Sequence, residues 1–416
     1  MIERSYSEFS LGVTQRALGA GRVPLNGTLE LTRRCPLECT HCYNNLPVGD
    51  RSAIAGELSY AELCRVMEEM AEAGTLWLLL TGGEILARPD FLEIYTYAKK
   101  KGFLITLFTN GTMITAEIAD HWARYRPFAI EITLYGHTRE TYERLTRVPG
   151  SFDRCRRGIE LLLERKLPLR LKTVGVATTR HEILEMKRFA EELGLEFKFD
   201  SMINPRIDCS LSPLEERMTP QQIVEFDLDD PKRTEGWLRF AEAYNHPMHE
   251  TTGQRDQLYH CGGGVNAFAI DPSGHLSICV LSHNDRYDLR RGSFREGWQE
   301  FLGKVRDRRT TRPTRCVECG LKAMCGMCPA NGELENRDPE EPVDFLCHVA
   351  HLRAASLDIP VRPHGECPYC TSGVHHEALM QSSREIKSGI RDRQPRTRLQ
   401  VVREAAGGGC TSCGGS

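Results

Sequence analysis

The sequence predicts an α/β fold with a parallel sheet, followed by a small cysteine-rich domain. Strand-like apolar runs alternate with helix-like amphipathic runs from residue 27 to residue 205 of the 416-residue chain. Repeated β/α units of this kind build a parallel sheet with right-handed crossovers. Most of the remaining cysteines lie in residues 261–347, and proline, glycine, serine and arginine dominate from residue 361 onward.

The six predicted strands are short aliphatic and β-branched runs: Thr28–Thr32, Leu76–Leu80, Phe103–Phe108, Ala129–Leu134, Leu169–Val176 and Glu196–Phe199. Five helices are predicted between them from apolar residues at helical spacing: Tyr60–Ala73, Phe91–Lys101, Ala116–Tyr125, Phe152–Lys166 and Glu182–Leu193. Ser59 is the expected N-cap of the first of these helices. Because active sites on parallel sheets lie at the C-terminal ends of the strands, we expect the functional residues there.

The chain divides into five predicted parts. They are an N-terminal extension (1–26), the α/β core (27–205), a polar bridging region interrupted by prolines (206–260), the cysteine-rich domain (261–360) and a flexible tail (361–416). The net charge of −3 argues against bulk attraction to nucleic acid. No stretch is apolar for long enough to span a bilayer, and the N-terminus lacks the apolar core of a signal peptide. We therefore expect a cytoplasmic protein.

Cys35, Cys39 and Cys42 directly follow the first predicted strand, in the run RCPLECTHCY. Three thiols this close can hold three irons of a [4Fe–4S] cube and leave the fourth iron open to a small molecule. Core packing on a helix face is one alternative, but Pro36 disfavours helical geometry at Cys35. A zinc site is another, although Cys-x3-Cys-x2-Cys does not match the paired spacing of structural zinc sites. The spacing favours the cluster.

A glycine-rich turn, Thr81-Gly-Gly-Glu84, follows the second predicted strand. Gly82 and Gly83 allow the backbone to approach a ligand closely, and Glu84 can accept hydrogen bonds from an ammonium group. An ordinary tight turn is the alternative interpretation. Together with the three cysteines at the same end of the sheet, this turn resembles the radical S-adenosylmethionine (radical SAM) superfamily.

The resemblance covers the whole β/α region and implies a partial (β/α)6 TIM-like barrel. It implies that the three cysteines bind a [4Fe–4S] cluster with S-adenosylmethionine on the open iron, and that the glycine-glutamate turn holds the methionine amino group. Reductive cleavage would then release a 5′-deoxyadenosyl radical that takes a hydrogen atom from the substrate. Tyr43 would lie near the adenine. Asn110 and Thr133 are expected to line the pocket, with a simple turn role as the alternative for each.

A second group of seven cysteines comprises Cys261, Cys279, Cys316, Cys319, Cys325, Cys328 and Cys347. Such density is unusual for packing alone in a cytosolic domain. A zinc ribbon formed by the four cysteines within residues 316–328 is one alternative. The order and spacing resemble the SPASM extension found on a subset of radical SAM enzymes, which carries two auxiliary [4Fe–4S] clusters.

By that resemblance, Cys261, Cys279 and Cys328 would bind the first auxiliary cluster. The second would be bound by Cys316, Cys319, Cys325 and Cys347. Two residues separate Cys325 from Cys328, where the family more often has three. The first set has no fourth cysteine, so its fourth iron would be open or bound by another residue such as His260.

The other cysteines fall outside these two groups. Cys64, Cys155 and Cys209 stand alone and are interpreted as small buried residues or surface thiols. The tail carries two further pairs, Cys367-x2-Cys370 and Cys410-x2-Cys413, with His375 and His376 nearby. Three alternatives are open for the tail: exposed thiols, a zinc or other metal site, or a cysteine-containing peptide presented to the active site.

These patterns predict a radical SAM enzyme that oxidatively modifies a substrate, in the first place a ribosomally made peptide or protein. One alternative is action on a small cofactor precursor such as a tetrapyrrole. A non-catalytic iron–sulfur electron carrier is another, although a carrier needs no methionine-binding turn. We expect an electron donor of the flavodoxin or ferredoxin type. The segment before residue 27 is too short for a winged peptide-clasp domain, so a leader-bearing peptide would need a separate recognition protein.

Overall fold

Eleven strands and fifteen α-helices are found in a computed structural model that describes residues 21–245 and 256–393, together with Ser10, residues 12–15 and Gly19. The strands are β1 (Asn26–Thr32), β2 (Arg34–Cys35), β3 (Leu46–Pro47), β4 (Trp77–Gly82), β5 (Leu104–Thr109), β6 (Ala129–Thr133), β7 (Leu169–Val174), β8 (Phe197–Asp200), β9 (Ala267–Ile270), β10 (His275–Ser277) and β11 (Tyr287–Asp288). Nine of them form one sheet in the order β11-β10-β9-β1-β4-β5-β6-β7-β8, and β2 pairs with β3.

The helices of the first half are α1 (Arg51–Gly56), α2 (Tyr60–Glu72), α3 (Phe91–Lys100), α4 (Ala116–Arg124), α5 (Arg139–Thr146), α6 (Ser151–Glu164) and α7 (Ile183–Glu192). Those of the second half are α8 (Pro220–Asp229), α9 (Pro231–Tyr244), α10 (Phe294–Glu296), α11 (Leu302–Arg306), α12 (Lys322–Cys325), α13 (Pro329–Asn336), α14 (Asp344–Ser356) and α15 (His376–Arg393). Within the described ranges, no helix has the length and apolar character needed to cross a membrane.

The six predicted strands correspond to β1, β4, β5, β6, β7 and β8, which pair in parallel from one to the next. The side chains of β4 show how the sheet separates its two faces. Leu78 and Leu80 are buried in the main apolar core, whereas Leu79 and Thr81 line a cavity on the other face. This alternation follows the two-residue period of a strand. The predicted partial (β/α)6 barrel is confirmed.

All five predicted helices are present within a few residues of their expected ends. Ser59 caps α2 as predicted: its hydroxyl accepts a hydrogen bond from the Glu62 backbone N–H, and the Glu62 carboxylate accepts one from the Ser59 N–H. This reciprocal pair satisfies two amide groups that the helix itself leaves without partners. Helices α1 and α5 were not predicted, because each is short and α5 is mostly polar.

The cysteine-rich region extends the sheet of the core. Strand β9 lies parallel to β1, with Asn26 opposite Ala267 and Leu29 opposite Ile270, and β10 and β11 follow antiparallel. The sequence analysis did not predict these three short strands. Their position matters for function, because it places the start of the cysteine-rich region beside the strand that leads to Cys35.

The bridging region contains two helices, which differs from the irregular chain expected there. Helix α8 begins at Pro220 and α9 begins at Pro231. Proline is well suited to the first turn of a helix, since the amide hydrogen that it lacks would have no partner there. These two prolines therefore mark helix starts.

The expectation of a flexible segment from residue 361 onward is wrong for residues 376–393, which form helix α15. Leu379, Ile386 and Ile390 of this helix are buried against α14 and α8. The polar residues between them hide this sparse apolar stripe in the composition. Cys367 and Cys370 are also buried. Cys410 and Cys413 lie outside the described residues.

A buried ion pair joins the bridging region to the C-terminal helices. Asp227 of α8 has no exposed surface, and its two carboxylate oxygens accept hydrogen bonds from Arg233 of α9, at 2.5 and 3.0 Å, and from Arg353 of α14, at 2.8 Å. The Arg353 guanidinium also lies 4.0 Å from the centre of the Trp237 ring. One carboxylate thus balances two cations that come from different helices.

We predict that Asp227→Asn lowers the free energy of unfolding by about 3 kcal/mol, because it leaves the buried Arg353 cation without its counter-charge. Asp153→Asn is the matched control: Asp153 also binds an arginine, Arg139, but its side chain is 60% exposed, so its loss should change the stability far less. Thermal unfolding of the two purified variants measures the difference. Equal midpoints would contradict the structural role given to Asp227.

Candidate active site

A cavity of about 600 Å³ lies at the C-terminal ends of the barrel strands, and Cys35, Cys39 and Cys42 all line it. Cys35 ends the short strand β2, which pairs with β3 and closes the loop that carries the three thiols. Cys35 and Cys39 are buried, and Cys42 is partly buried. The structure therefore brings the three predicted cluster ligands to one wall of one cavity.

The surroundings of these thiols suit a metal cluster. Burial raises the pKa of Cys35 to about 12, with a smaller contribution from the negative charge of Glu84, and burial also raises the pKa values of Cys39 and Cys42. The Leu37 backbone N–H and the Asn110 side-chain amide point at the Cys35 sulfur, at 3.4 and 3.5 Å. Buried thiols that lose their protons need a compensating cation, and N–H groups directed at sulfur are typical of iron–sulfur sites. The donor set fits a [4Fe–4S] cluster.

Arg34 anchors the cysteine loop to the rest of the barrel. Its guanidinium donates two hydrogen bonds of 2.9 Å to the Glu57 carboxylate and a third of 3.2 Å to the Ala87 carbonyl. Arg88 lies 3.7 Å from the same carboxylate. All three charged groups are nearly inaccessible to solvent, so the residue before Cys35 is held firmly in place. The Arg34–Glu57 ion pair was not predicted from the sequence. The only sequence signal for it is the position of Arg34 directly before Cys35.

Gly82 and Gly83 also line the cavity, where the backbone of β4 passes close to the cysteine loop. A side chain at either position would collide with this loop. A Cβ atom on Gly82 would lie 2.1 Å from the Thr32 carbonyl oxygen, and one on Gly83 would lie 2.5 Å from that of Arg33. The φ angle of Gly82 is +138°, which other residues rarely adopt. Both glycines are therefore required by the fold, and they leave the backbone open to a ligand.

Glu84 has an internal structural role in addition to the one predicted for it. It has no exposed surface, and its carboxylate accepts hydrogen bonds from the Thr109 hydroxyl, from the Asn110 N–H at 2.8 Å and from the Leu86 N–H at 3.2 Å. Burial raises the pKa of Glu84, and these hydrogen bonds oppose the rise. The side chain thus ties the end of β4 to the end of β5. Binding of the methionine amino group by Glu84 stays a prediction.

Glu84 does not line the cavity, whereas the other three predicted pocket residues do. The Tyr43 hydroxyl donates a 2.9 Å hydrogen bond to the buried Glu30 carboxylate, which fixes the ring beside the cysteine loop. The Asn110 carbonyl oxygen accepts from the Thr112 backbone N–H at 2.9 Å, which directs its amide nitrogen at Cys35. Thr133, at the end of β6, lies on the same wall as Lys172.

Lys172 is a cationic residue of this cavity that the sequence analysis did not identify. It lies on β7, its ammonium group is 3.5 Å from the Glu131 carboxylate, and burial lowers its pKa to about 8. Alternation along β7 gave a signal for it, since Leu169 and Leu171 face the core while Arg170 and Lys172 face the opposite side. A positive charge in this position favours negatively charged or polar ligands.

Two of the later cysteines, Cys261 and Cys279, line the same 600 Å³ cavity as the first three. Burial raises the pKa of Cys279 to about 12, and Cys328 and Cys261 are the nearby thiols that add to this effect. Cys261 and Cys328 also line a second cavity of about 730 Å³, together with His260, whose Nδ1 atom is buried and has no hydrogen-bond partner in the described part of the chain. His260 thus lines a cavity together with two cysteines of this set, and its role as a fourth ligand stays a prediction.

The four cysteines predicted for the second auxiliary cluster line one small cavity: Cys316, Cys319, Cys325 and Cys347. Cys328 is absent from its lining. This arrangement disfavours the zinc-ribbon alternative, which requires Cys328 in place of Cys347. The Arg315 guanidinium lies 3.6 Å from the Cys347 sulfur and supplies positive charge there. Cys316 also lines the 730 Å³ cavity with Cys261 and Cys328, so the two later sets of thiols are neighbours.

The three lone cysteines join neither set. Cys155 is buried in the main core, Cys64 is partly buried on α2, and Cys209 lies 3.8 Å from the Glu333 carbonyl oxygen. These positions agree with their interpretation as isolated thiols.

Comparison with known proteins relates this arrangement to a family. The radical SAM superfamily model matches residues 29–190. The chain is 28% identical to the AdoMet-dependent heme synthase of Methanosarcina barkeri, over 75% of this chain and 94% of that protein. It is 27% identical to the mycofactocin maturase MftC of Mycobacterium ulcerans, over 76% of this chain and 87% of that protein.

A solved structure shares the fold. Streptococcus suis SuiB bound to the precursor peptide SuiA superposes with a TM-score of 0.59 at 17% identity, covering 83% of this chain and 82% of that chain. At 17% identity this structural similarity shows the shared fold, a barrel followed by a cysteine-rich region.

We predict that Gly82→Ala destabilises the protein by more than about 1 kcal/mol, because its φ angle and the Thr32 carbonyl both oppose a side chain there. Gly236→Ala is the matched control. Gly236 lies in helix α9, and a Cβ atom added to it would have no other atom within 4 Å, so alanine should stabilise the helix by up to about 1 kcal/mol. Thermal unfolding of the two variants measures the difference in stability. A Gly82 variant as stable as the Gly236 variant would contradict the close contact between the Gly82 backbone and the Thr32 carbonyl.

Proposed function

We propose that the chain is a radical SAM enzyme with peptide-maturase-like features, and that it oxidatively modifies a ribosomally made peptide or protein. The observation that carries this proposal is the shared cavity, which Cys35, Cys39 and Cys42 line together with Cys261 and Cys279. A substrate in the cavity would face both metal-binding sets at once.

An oxidation needs both groups of cysteines, one for hydrogen abstraction and one to accept an electron. Removal of a hydrogen atom from a carbon leaves one unpaired electron on the substrate. That electron and one proton must then leave to complete a two-electron oxidation. A redox group beside the cavity can accept the electron, whereas a simple hydrogen-atom exchange needs no such group. The position of Cys261 and Cys279 therefore supports an oxidative reaction.

In this proposal Cys35, Cys39 and Cys42 hold the [4Fe–4S] cluster that binds S-adenosylmethionine, and the later cysteines hold two auxiliary clusters. When bound, these groups supply a 5′-deoxyadenosyl radical for hydrogen abstraction and an acceptor for the second electron. The chain itself orients the ligand through the exposed backbone of Gly82 and Gly83, and it limits access of water by burying the cysteine loop. An external flavodoxin or ferredoxin would supply the first electron.

The peptide substrate class rests on the relatives. MftC is named a maturase, and SuiB was solved with its precursor peptide bound. By analogy we infer a peptide that reaches the barrel cavity, with a separate protein to recognise its leader. A second candidate is a small cofactor precursor such as a tetrapyrrole, which the similarity to a heme synthase favours. The Lys172 ammonium group would suit carboxylates in either substrate.

We predict that replacing Cys35, Cys39 and Cys42 together by alanine abolishes formation of 5′-deoxyadenosine from S-adenosylmethionine, because the open-iron cluster loses its ligands. The assay uses reconstituted, dithionite-reduced protein and chromatography of the nucleoside products. Cys64→Ala is the control, since Cys64 lies on α2 outside the cavity lining. If the unmodified protein forms no 5′-deoxyadenosine, the chain acts as an electron carrier and the proposed function fails.

We predict that the hydrogen atom removed comes from a peptide. Extract from source cells grown in deuterated medium is separated into peptide and small-molecule fractions, and each is incubated with the reduced enzyme. Deuterium should enter 5′-deoxyadenosine with the peptide fraction, and protease treatment of that fraction should prevent it. Transfer from the small-molecule fraction alone, insensitive to protease, would reject the peptide and favour the cofactor precursor.

A further inference from the structure

Four side chains near the C-terminus of the described region form a cluster that the proposed enzymatic function does not use. His351, His364, Cys367 and Cys370 each direct one ligand-type atom toward a common point, and these four atoms lie within 4.8 Å of one another. All four residues are buried. They comprise two thiols and two imidazoles, and both cysteines are free.

The spacing within the cluster matches tetrahedral zinc coordination. His351 Nε2 lies 3.4 Å from the Cys367 sulfur and 3.8 Å from the Cys370 sulfur, and His364 Nδ1 lies 3.5 Å from the Cys370 sulfur. His364 Nδ1 also lies 3.1 Å from the Arg362 carbonyl oxygen, a contact that metal binding through Nδ1 would replace. With Zn–S of about 2.3 Å and Zn–N of about 2.0–2.1 Å, a tetrahedral site holds its nitrogen and sulfur ligands roughly 3.5 Å apart. The three nitrogen–sulfur distances scatter around that value.

The fold orients His351 for this task. Its Nδ1 atom lies 2.8 Å from the Cys347 carbonyl oxygen, one helical turn earlier on α14. A nitrogen that donates its proton to this carbonyl leaves Nε2 as the unprotonated, metal-binding atom. Hydrogen bonds of this kind are the usual way in which proteins fix the tautomer of a metal-binding histidine.

The remaining ligands come from a loop that the composition of the tail did not indicate as ordered. His364, Cys367 and Cys370 lie in the segment between α14 and α15, where the Cys367 N–H donates to the His364 carbonyl and the Gly373 N–H donates to that of Cys370. A metal ion bound to these three side chains and to His351 would fasten the loop to α14. This explains how a short polar segment can fold against the protein.

We propose that His351, His364, Cys367 and Cys370 form a structural zinc site, separate from the iron–sulfur sites. A tetrahedral Cys2His2 set is typical of zinc, and four protein ligands leave no open position for a substrate. A Rieske-type [2Fe–2S] cluster has the same ligands but binds the cysteines to one iron and the histidines to the other. The direct contacts between His351 and both sulfurs disagree with that division.

The site adjoins the second predicted auxiliary cluster. His351, His364 and Cys367 line the same small cavity as the four cysteines of that set, and Cys347 lies on the same helix as His351. Zinc would therefore hold in place the helix that supplies the last cysteine of the set. The zinc proposal does not depend on the enzymatic one, since it is tested by metal content and coordination.

The test uses the full-length protein, purified anaerobically with its iron–sulfur content. We expect about one zinc per chain by metal analysis, and an X-ray absorption spectrum at the zinc edge that fits two sulfur atoms at about 2.3 Å and two nitrogen atoms at about 2.0–2.1 Å. Absence of zinc would overturn the proposal. So would a spectrum with sulfur ligands alone, because it would place the zinc in one of the cysteine-only sets.

Variants assign the metal to these residues. His364→Ala and Cys370→Ala should each lose the zinc and keep the iron, whereas His375→Ala and Cys64→Ala should keep both metals. His375 is the matched control because it is a histidine of the same segment outside the four-residue cluster. Zinc retained in both cluster variants would overturn the proposal. Loss of iron from these two variants would also overturn it if the unmodified protein contains no zinc.

Discussion

The structure depends on the removal of cysteine thiols from water in closely spaced groups. Burial raises the pKa of Cys35, Cys279 and Cys347 to about 12 each. At neutral pH these thiols stay protonated unless a metal replaces the protons. Such groups contribute little as an apolar core, but they bind metal strongly when one is supplied, and metal binding then becomes part of the folding free energy. The chain is therefore organised around its metal-binding groups as well as around its aliphatic core.

The topology turns these separate groups into one functional unit. Strand β1 ends next to the cysteine loop, and β9 pairs with β1 on its free edge. This pairing brings Cys261 and Cys279, which lie on either side of β9 and β10, to the wall of the barrel cavity. The Arg34–Glu57 ion pair anchors the cysteine loop to the barrel. In the proposed function, a hydrogen atom and an electron leave the substrate from this one cavity.

The sequence was sufficient for the features that rest on local patterns. The two-residue period of the apolar residues predicted the six parallel strands, and the chemistry of helix caps predicted the role of Ser59. The spacing of Cys316, Cys319 and Cys325 predicted that they belong to one group. The sequence was insufficient where tertiary contacts decide. Strands β9–β11 are too short to show a clear two-residue period of apolar side chains. Helix α15 buries only about one apolar side chain every one or two turns, which is too sparse to stand out in the sequence.

The zinc ligands show the same limit. The pair Cys367 and Cys370 was recognised from its spacing, and His375 and His376 were the histidines noted nearby in the sequence. The structure places His351 and His364 beside the sulfurs. His351 precedes Cys367 by 16 residues, and no local pattern distinguishes it from His348 on the same helix.

The central claim is that the two groups of cysteines hold three distinct clusters. Iron and sulfide analysis combined with Mössbauer spectroscopy of the anaerobically purified chain tests it most directly. The account predicts about three [4Fe–4S] clusters per chain, and loss of one third of the iron when Cys35, Cys39 and Cys42 are replaced together. A chain that holds only one cluster, and loses all of its iron in that variant, would contradict it.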